Sequence, residues 1–394
     1  MSEREVVIVD AVRSPIGKRN GELSTMHSIN LLGDVQKAIF ERTGMDPAEV
    51  GQVVGGCVGQ VGMQTMNVAR NAWLAAGLPL EVAATTVDAQ CGSSQQATNL
   101  AYSLVKSGVV DSALSCGIEL MSQIKMGATI PDADTTGVPV NARYWENYEW
   151  TSQFEGAERI ADQWGISRDD ADNFGKRSQD LAAKAREEDA FGTQVVPIEV
   201  PVLDDEGKPT GETTTVTADG GIRDTTLEAL AGLKAVARED GVHTAGSSSQ
   251  ISDGAGAVLM MTREKADELG LTPLAKIVDS CLVGTDPVLM LTGPIDATKK
   301  LLADNDLSID DIGVFEVNEA FASVVLAWEK ELGPDMDRVN PNGGAIGLGH
   351  PLGGTGSILM TKAVHEMQRS DIEYGIVTMC CGGGLGTGTL LQKI

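Results

Sequence analysis

Histidine is scarce in this chain, with four in 394 residues, and aromatic side chains make up only 4%. Basic residues are outnumbered: 30 Lys and Arg face 56 Asp and Glu, for a net charge of −26. That balance excludes nonspecific nucleic-acid binding, which needs a basic footprint. An anionic ligand then requires a local cationic patch or helix N-termini. No apolar run approaches the ~18 residues of a membrane span. The opening Met1-Ser2-Glu3-Arg4-Glu5 has no basic n-region or apolar h-region, so a cytoplasmic, reducing setting is expected. The six cysteines are Cys57, Cys91, Cys116, Cys281, Cys380 and Cys381. None makes a C-x-x-C pair, so neither a metal site nor a secreted disulfide framework is expected.

Glycine, by contrast, is abundant, at 46 residues against a typical ~7%. It clusters near the end of the chain around the rare reactive residues. Asn342-Gly343-Gly344-Ala345-Ile346-Gly347-Leu348-Gly349-His350-Pro351 comes first, then Met379-Cys380-Cys381-Gly382-Gly383-Gly384. Glycine lets backbone approach a ligand and offers unhindered N–H groups. Imidazole and thiol both move protons near neutral pH. Together they point to thiol chemistry with an anion to stabilise.

The chain repeats itself. Val6 to Ala11 opens a buried strand, echoed by Ala275 to Ser280. Glu49 to Val54 is echoed by Asp311 to Glu316. A Gly/Ser loop then enters a helix at Cys91 in one half and at Gly353 in the other. Strands at Ser112–Gly117 and Gly375–Cys380 follow. This alternation predicts two duplicated α/β layers with mostly parallel, buried sheets. Residues 122–245 differ. They hold a turn-rich stretch from Pro131 to Pro139 and an aromatic patch of Tyr144, Trp145, Tyr148, Trp150 and Phe154. That patch reads either as a satellite core or as ligand lining. Helices are predicted over 151–164 and 167–188, the second capped by Ser167. A polar turn is predicted over 201–210.

Cys91 lies where a strand ends near Asp88 and a helix begins, so its thiol sits at a helix N-terminus that favours thiolate. The competing reading is a buried, inert cysteine. His350 is a candidate base for that thiol; a dinucleotide loop fits the spacing poorly. Asn318 could hold a water or an oxyanion, or simply cap a helix. The N–H groups at Gly382–Gly384 could form an oxyanion hole, or merely a tight turn. Adjacent strand residues point to opposite faces, so only one of Cys380 and Cys381 can face a site.

With these blocks in order, the chain resembles the thiolases, the acyl-CoA C-acyltransferases. The resemblance runs through Gln90-Cys91-Gly92-Ser93, Gly117 to Ser122, Thr244 to Ser249, Asn318-Glu319-Ala320-Phe321, Gly343 to Pro351 and Cys380-x-Gly-Gly-Gly. In finer detail it is similar to actinobacterial degradative thiolases that act on bulky or steroid-derived 3-ketoacyl-CoAs. It implies a thiolase fold: two duplicated α/β halves in a layered α/β/α/β/α arrangement with an inserted loop domain. The expected bounds are 1–121, completed by about 246–270, then an insert over 122–245 and a second half over 271–394.

The resemblance also implies roles. Cys91 would carry the acyl group, His350 would activate it, and Cys380 would be the acid/base. Asn318 would hold a water in one oxyanion hole, and the N–H groups of Cys91 and Gly382 would form another. Arg223 and Ser249 align with coenzyme A contacts, and Met290 and Ala320 with the acyl pocket. Coenzyme A enters as co-substrate, with no tightly bound cofactor and no metal, and a homodimer or homotetramer is implied. The chain departs from short-chain biosynthetic thiolases at Ser152 to Glu158, where a pocket-closing methionine is missing; this favours a larger acyl group. A serine expected near the CoA chain is Ala229. Arg223, Lys234 and Arg238 are the candidate cationic docking patch. Two other readings are an acetoacetyl-CoA-forming enzyme and a non-catalytic acyl-CoA or lipid binder on the same scaffold.

Overall fold

The computed structural model describes residues 4–130, 137–204 and 206–394. The turn-rich stretch beginning at Pro131 therefore lies, as far as residue 136, outside the described residues. In chain order the first strands and helices are β1 (Val6–Arg13), β2 (Gly17–Lys18), α1 (Ser28–Thr43), β3 (Gln52–Gly56), α2 (Val68–Ala75), β4 (Ala83–Val87), α3 (Ser93–Lys106) and β5 (Ser112–Leu120). Then come α4 (Ala142–Trp145), α5 (Gln153–Trp164), α6 (Arg168–Glu187), β6 (Ile198–Leu203), β7 (Pro209–Val216), α7 (Leu227–Ala231), β8 (Ser252–Thr262) and α8 (Arg263–Leu269). The last third holds β9 (Ala275–Gly284), α9 (Gly293–Asp304), β10 (Val314–Val317), α10 (Ala322–Leu332), α11 (Thr355–Arg369), β11 (Tyr374–Cys381) and β12 (Leu385–Lys393).

The strands line up as β10-β11-β12-β9-β1-β8-β5-β3-β4. Reading outward from the β9–β1 junction gives β1-β8-β5-β3 on one side and β9-β12-β11-β10 on the other. The expected duplication is thus written into the strand order. The halves are joined by a short antiparallel contact, Val7 with Lys276 and Ile8 with Ala275. Helices α1 and α2 cover the first half and α9 the second, while α3 and α11 pack against each other and against strands of both halves. The result is the layered α/β/α/β/α arrangement that the resemblance implies.

The mostly parallel sheet expected from the alternation is a misreading. Among the described strand pairs of this sheet only β3–β4, β3–β5 and β10–β11 run parallel; β1–β8, β5–β8, β11–β12, β12–β9 and β1–β9 are antiparallel. The physical reason is that helices cover both faces. Such strands are continuous apolar runs whichever way they pair, and burial alone hides direction. The central layer demands close approach. A Cβ on Gly356 of α11 would lie 2.1 Å from the Gln95 nitrogen of α3. Ser357 N–H donates to Ser94 Oγ across the same contact at 2.9 Å. The helices of 151–164 and 167–188 form as read, with Ser152 and Ser167 as caps and Asp170 closing a capping box at Ser167. The polar turn over 201–210 is a hairpin: β6 and β7 pair through Leu203 and Pro209.

Candidate functional site

Cys91 sits on a strand–turn–helix elbow. β4 ends at Val87 and α3 starts at Ser93. Between them, Gln90 N–H donates to Asp88 Oδ1 at 2.7 Å, Ala89 N–H to Ser93 Oγ at 3.0 Å, and Ser93 Oγ–H to Gln90 O at 2.6 Å. Gln90 is forced to φ +52°, a left-handed conformation uncommon for a side-chain-bearing residue. The Cys91 sulfur is buried, and the N–H groups of Gly382 and of Cys91 itself reach it. The helix terminus does not leave it ionised: burial pushes its thiol up to about 11 against those two donors. The expected resting thiolate is therefore a buried thiol.

His350 comes from the glycine loop that precedes α11. Gly349 takes φ +127°, and a Cβ there would meet Ser252 Oγ at 2.3 Å, so only glycine fits. The His350 N–H donates to Ser252 Oγ at 3.1 Å and to Gln250 O at 3.2 Å. Its ring is fixed on both sides. Thr355 Oγ1 lies 2.6 Å from Nδ1, and Asn318 Nδ2 lies 3.3 Å from Nε2. Thr355 Oγ1–H donates to Pro351 O at 2.9 Å. A hydroxyl has one proton, so Thr355 must accept from Nδ1–H. Nε2 is then the bare nitrogen, facing the Asn318 amide. Burial holds the imidazolium down to about 4, leaving the ring neutral.

Asn318 is not a helix cap; α10 begins at Ala322 with Phe321 at its cap position. Its Oδ1 is buried with no protein partner. Cys380 is fully buried at the end of β11 and packs with Met290, Ala320 and Phe321. Its thiol is pushed well above the ordinary range by burial and by the nearby Cys91 and Cys381 sulfurs. Cys381 points the other way, under the elbow: a Cβ on Gly92 would lie 2.5 Å from its sulfur. Gly382 follows, and Gly383 and Gly384 turn the chain at φ +82° and +78°. The structure thus brings Cys91, His350, Asn318, Cys380 and Gly382 into one neighbourhood.

A cavity of about 460 Å³ opens beside it, lined by His350, Ala320, Ser249 and Arg223 among others. Met290 packs beside Ala320 but is not part of the cavity lining. Two of the three expected docking cations fail. Arg238 is bound by Glu155 and Asp162 at 2.7 Å each, and Lys234 lines a separate cavity with Glu239 and Asp240. The cations that accompany Arg223 are Lys18 and Arg19, which the motif reading missed. The aromatic patch divides. Phe154 lines the cavity and meets Phe321 edge-on at 5.5 Å, whereas Tyr144 packs its ring 5.9 Å from those of Tyr148 and Trp150 in a surface cluster, with Trp145, Tyr148 and Trp150 about half exposed.

Sequence reasoning also missed two buried carboxylates that hold the His350 loop. Glu319 accepts from Ile346 N–H at 3.1 Å, Ser178 Oγ at 2.5 Å and Asn340 Nδ2 at 2.9 Å. Glu119, on β5, accepts from Gly353 N–H at 2.9 Å, and from the N–H groups of Val58 and Gly59 at 3.0 Å each. Burial raises the Glu119 carboxyl above its ordinary range.

A duplicated layered fold, with two thiols and a neutral imidazole at the meeting of its halves, marks an acyltransferase. Comparison with known proteins narrows this. The thiolase N-terminal domain model matches residues 6–264 and the thiolase C-terminal domain model residues 271–393. A steroid 3-ketoacyl-CoA thiolase of Mycobacterium tuberculosis is 40% identical, covering 99% of this chain and 94% of its own. A 3-ketoacyl-CoA thiolase of Bacillus subtilis is 39% identical over 99% of both chains. The crystal structure of the Bacillus anthracis acetyl-CoA acetyltransferase superposes with a TM-score of 0.90 at 36% identity, covering 100% of this chain and 99% of that one. The chain belongs to the thiolase family.

Proposed function

We propose that this chain is a 3-ketoacyl-CoA thiolase acting on a medium, long or steroid-derived acyl group. The observation that carries the reading is the Gly382 N–H that reaches the Cys91 sulfur, with Cys380 beside that sulfur, while the cavity lined by His350 and Ala320 adjoins the apolar cluster that holds Cys380. Cys91, giving its proton to His350, attacks the 3-keto carbon. Acetyl-CoA leaves as an enolate thioester, and Cys380 protonates it. Cys380 then deprotonates coenzyme A, whose thiolate takes the acyl group from Cys91; Cys91 leaves as a thiolate and recovers its proton from His350. Negative charge falls on two different oxygens in turn, so two sets of donors are needed. The N–H groups of Cys91 and Gly382, which already reach the Cys91 sulfur, serve the tetrahedral intermediate. His350 and a water held by Asn318 serve the enolate. Arg223 and Ser249 line the coenzyme A path, and Ala320 with Met290 behind it shapes the acyl end.

The bulky-substrate reading is supported by the apolar cavity lining of Met121, Met126 and Phe154 and by the steroid 3-ketoacyl-CoA thiolase among the relatives. The second reading, acetoacetyl-CoA formation, is favoured by relatives named acetyl-CoA acetyltransferase, at 38% identity in Syntrophomonas wolfei. No helix among the described residues is long and apolar enough to cross a membrane, and the setting proposed is cytoplasmic. A homodimer or homotetramer is part of the same reading. It is supported by β4, an edge strand with exposed residues, and by Met66 and Leu80 nearby at 82% and 69% exposure. Mass spectrometry after mixing with a 3-ketoacyl-CoA tests the mechanism: an acyl adduct on Cys91 is expected. Absence of the adduct, with full activity in Cys91→Ala, refutes it. A panel from acetoacetyl-CoA to a ring-bearing thioester tests the acyl group, and indifference to size removes the bulky reading.

A further inference from the structure

The chain carries a net charge of −26, yet among the described residues its catalytic cavity is lined by three cations and no carboxylate. Among the described residues, the Arg223 guanidinium donates only to the neutral Gln250, at 2.6 Å. The side chains of Lys18 and Arg19 are exposed and, among the described residues, have neither an ion-pair nor a hydrogen-bond partner. Other cavities are mixed. In one of about 820 Å³, Arg42 is held by Asp10 at 2.8 Å. In another of about 610 Å³, Asp170 and Glu329 stand beside Arg177 and Lys330. Most cations among the described residues have carboxylates within reach, so an unpaired pair in the lining of a cavity that touches His350 requires a reason.

The tongue bearing these cations is anchored to the catalytic loop. Gly17 and Lys18 form β2 and pair with Asp253 and Ser252 of β8. Ser252 Oγ in turn accepts the His350 N–H. Asn20 N–H donates to Ser122 Oγ at 2.8 Å and fixes the far end. The backbone that presents Lys18 and Arg19 is thus linked through a single residue to His350. Two adjacent cations repel one another unless an anion lies between them, and a phosphate is well matched to a Lys–Arg set.

We propose that Lys18 and Arg19 are substrate-binding residues that hold the phosphates of coenzyme A at the cavity entrance, together with Arg223. The proposal rests on the thiolase reading above and adds the contacts that let a strongly acidic protein take an anionic thioester. The rest of the lining supports phosphate at this end: Met121, Phe154 and Phe321 are apolar and suit the uncharged parts of the substrate. The same two cations give the entrance a local positive field, which steers an anion inward despite the overall charge.

The test uses the full chain with Lys18→Gln and Arg19→Gln combined; the backbone pairing that holds β2 involves neither side chain. Acetoacetyl-CoA and the phosphate-free N-acetylcysteamine thioester of acetoacetate are compared as substrates. The preference for the CoA thioester, as a ratio of kcat/KM values, is expected to fall about tenfold, and by less at high salt. Direct titration with CoA and with pantetheine, read by calorimetry, is expected to weaken only for CoA. Equal losses on both thioesters, or unchanged CoA affinity, would overturn the proposal. So would a loss confined to acyl groups ending in a carboxylate, which would place the acyl tail at these cations. If wild-type protein binds CoA but cleaves no 3-ketoacyl-CoA, the thiolase reading fails while the calorimetric comparison still decides the role of Lys18 and Arg19.

Discussion

Thr355 should control the chemistry at Cys91 without touching substrate. Its hydroxyl proton is committed to Pro351 O, so its oxygen accepts from His350 Nδ1–H and leaves Nε2 free to take a proton. Thr355→Val keeps the shape and removes the acceptor. Nδ1–H is then buried with no partner, at a cost of about 1–3 kcal/mol. The ring can avoid that cost by moving its proton to Nε2, but it then ceases to be a base on the side that matters. Either way the barrier to acylation rises by about the same 1–3 kcal/mol, which corresponds to roughly a five- to 150-fold slower step. Thr355→Ser restores the acceptor and should restore most of the rate. The assay is rapid-quench mass spectrometry of acyl-Cys91 formation, with imidazole nitrogen shifts by NMR to report the tautomer and thermal unfolding to check the fold. Wild-type acylation in Thr355→Val would refute the reasoning, as would equal losses in the Val and Ser variants.

Burial holds His350 down to about 4, below its ordinary 6.5, so the base stays deprotonated at mildly acid pH. The acylation rate should therefore hold from neutral pH to about 5, with its acid limb near 4; a limb at 6.5 in a profile of kcat/KM would contradict this. The same depressed value means the unfolded chain takes up this proton first. The His350 contribution to stability is thus lost as pH falls from 6.5 toward 4, and rates must be read promptly after a pH jump. Lys362→Met should cost about 3–5 kcal/mol by denaturant titration, because it strands the fully buried Glu316, to which Lys362 Nζ donates at 2.7 Å. Adding Glu316→Leu should recover most of that loss. Cys380→Ala should slow turnover by about 10²–10⁴-fold, the usual worth of a general acid/base. Cys381→Ala should lower stability slightly and leave the rate near wild type; a large rate loss there would reverse the assignment of the two cysteines.

Much of the fold is legible because the two halves carry the same order of elements. The echo of Val6–Ala11 in Ala275–Ser280 becomes β1 and β9, neighbours at the centre of the sheet. Ser167 with Asp170 announces its helix through a cap whose bonding is local. Strand direction was illegible for a different reason. β8 and β12 each lie antiparallel between partners, and nothing in a run such as Gly254 to Met261 states which way its neighbour points. The 198–216 hairpin was hidden because β7 is largely exposed and polar, so it lacks the alternation that marks a strand.

The site divides along the same line. Residues that work through their own loop, such as Cys91 on its elbow and His350 after Gly349, leave a local signature in turn chemistry and glycine. Residues that work across the fold leave none. Glu119 lies more than two hundred positions from Gly353, whose N–H it accepts, and Lys18 is equally remote from the loop it adjoins. Arg238 failed as a docking cation because Glu155 and Asp162, far off in sequence, neutralise it. In an acidic chain a basic residue is informative only once its partners are known. What singles out Lys18 and Arg19 is the absence of an ion-pair partner among the described residues together with a place in the lining of the cavity that holds His350, and both are visible only in three dimensions.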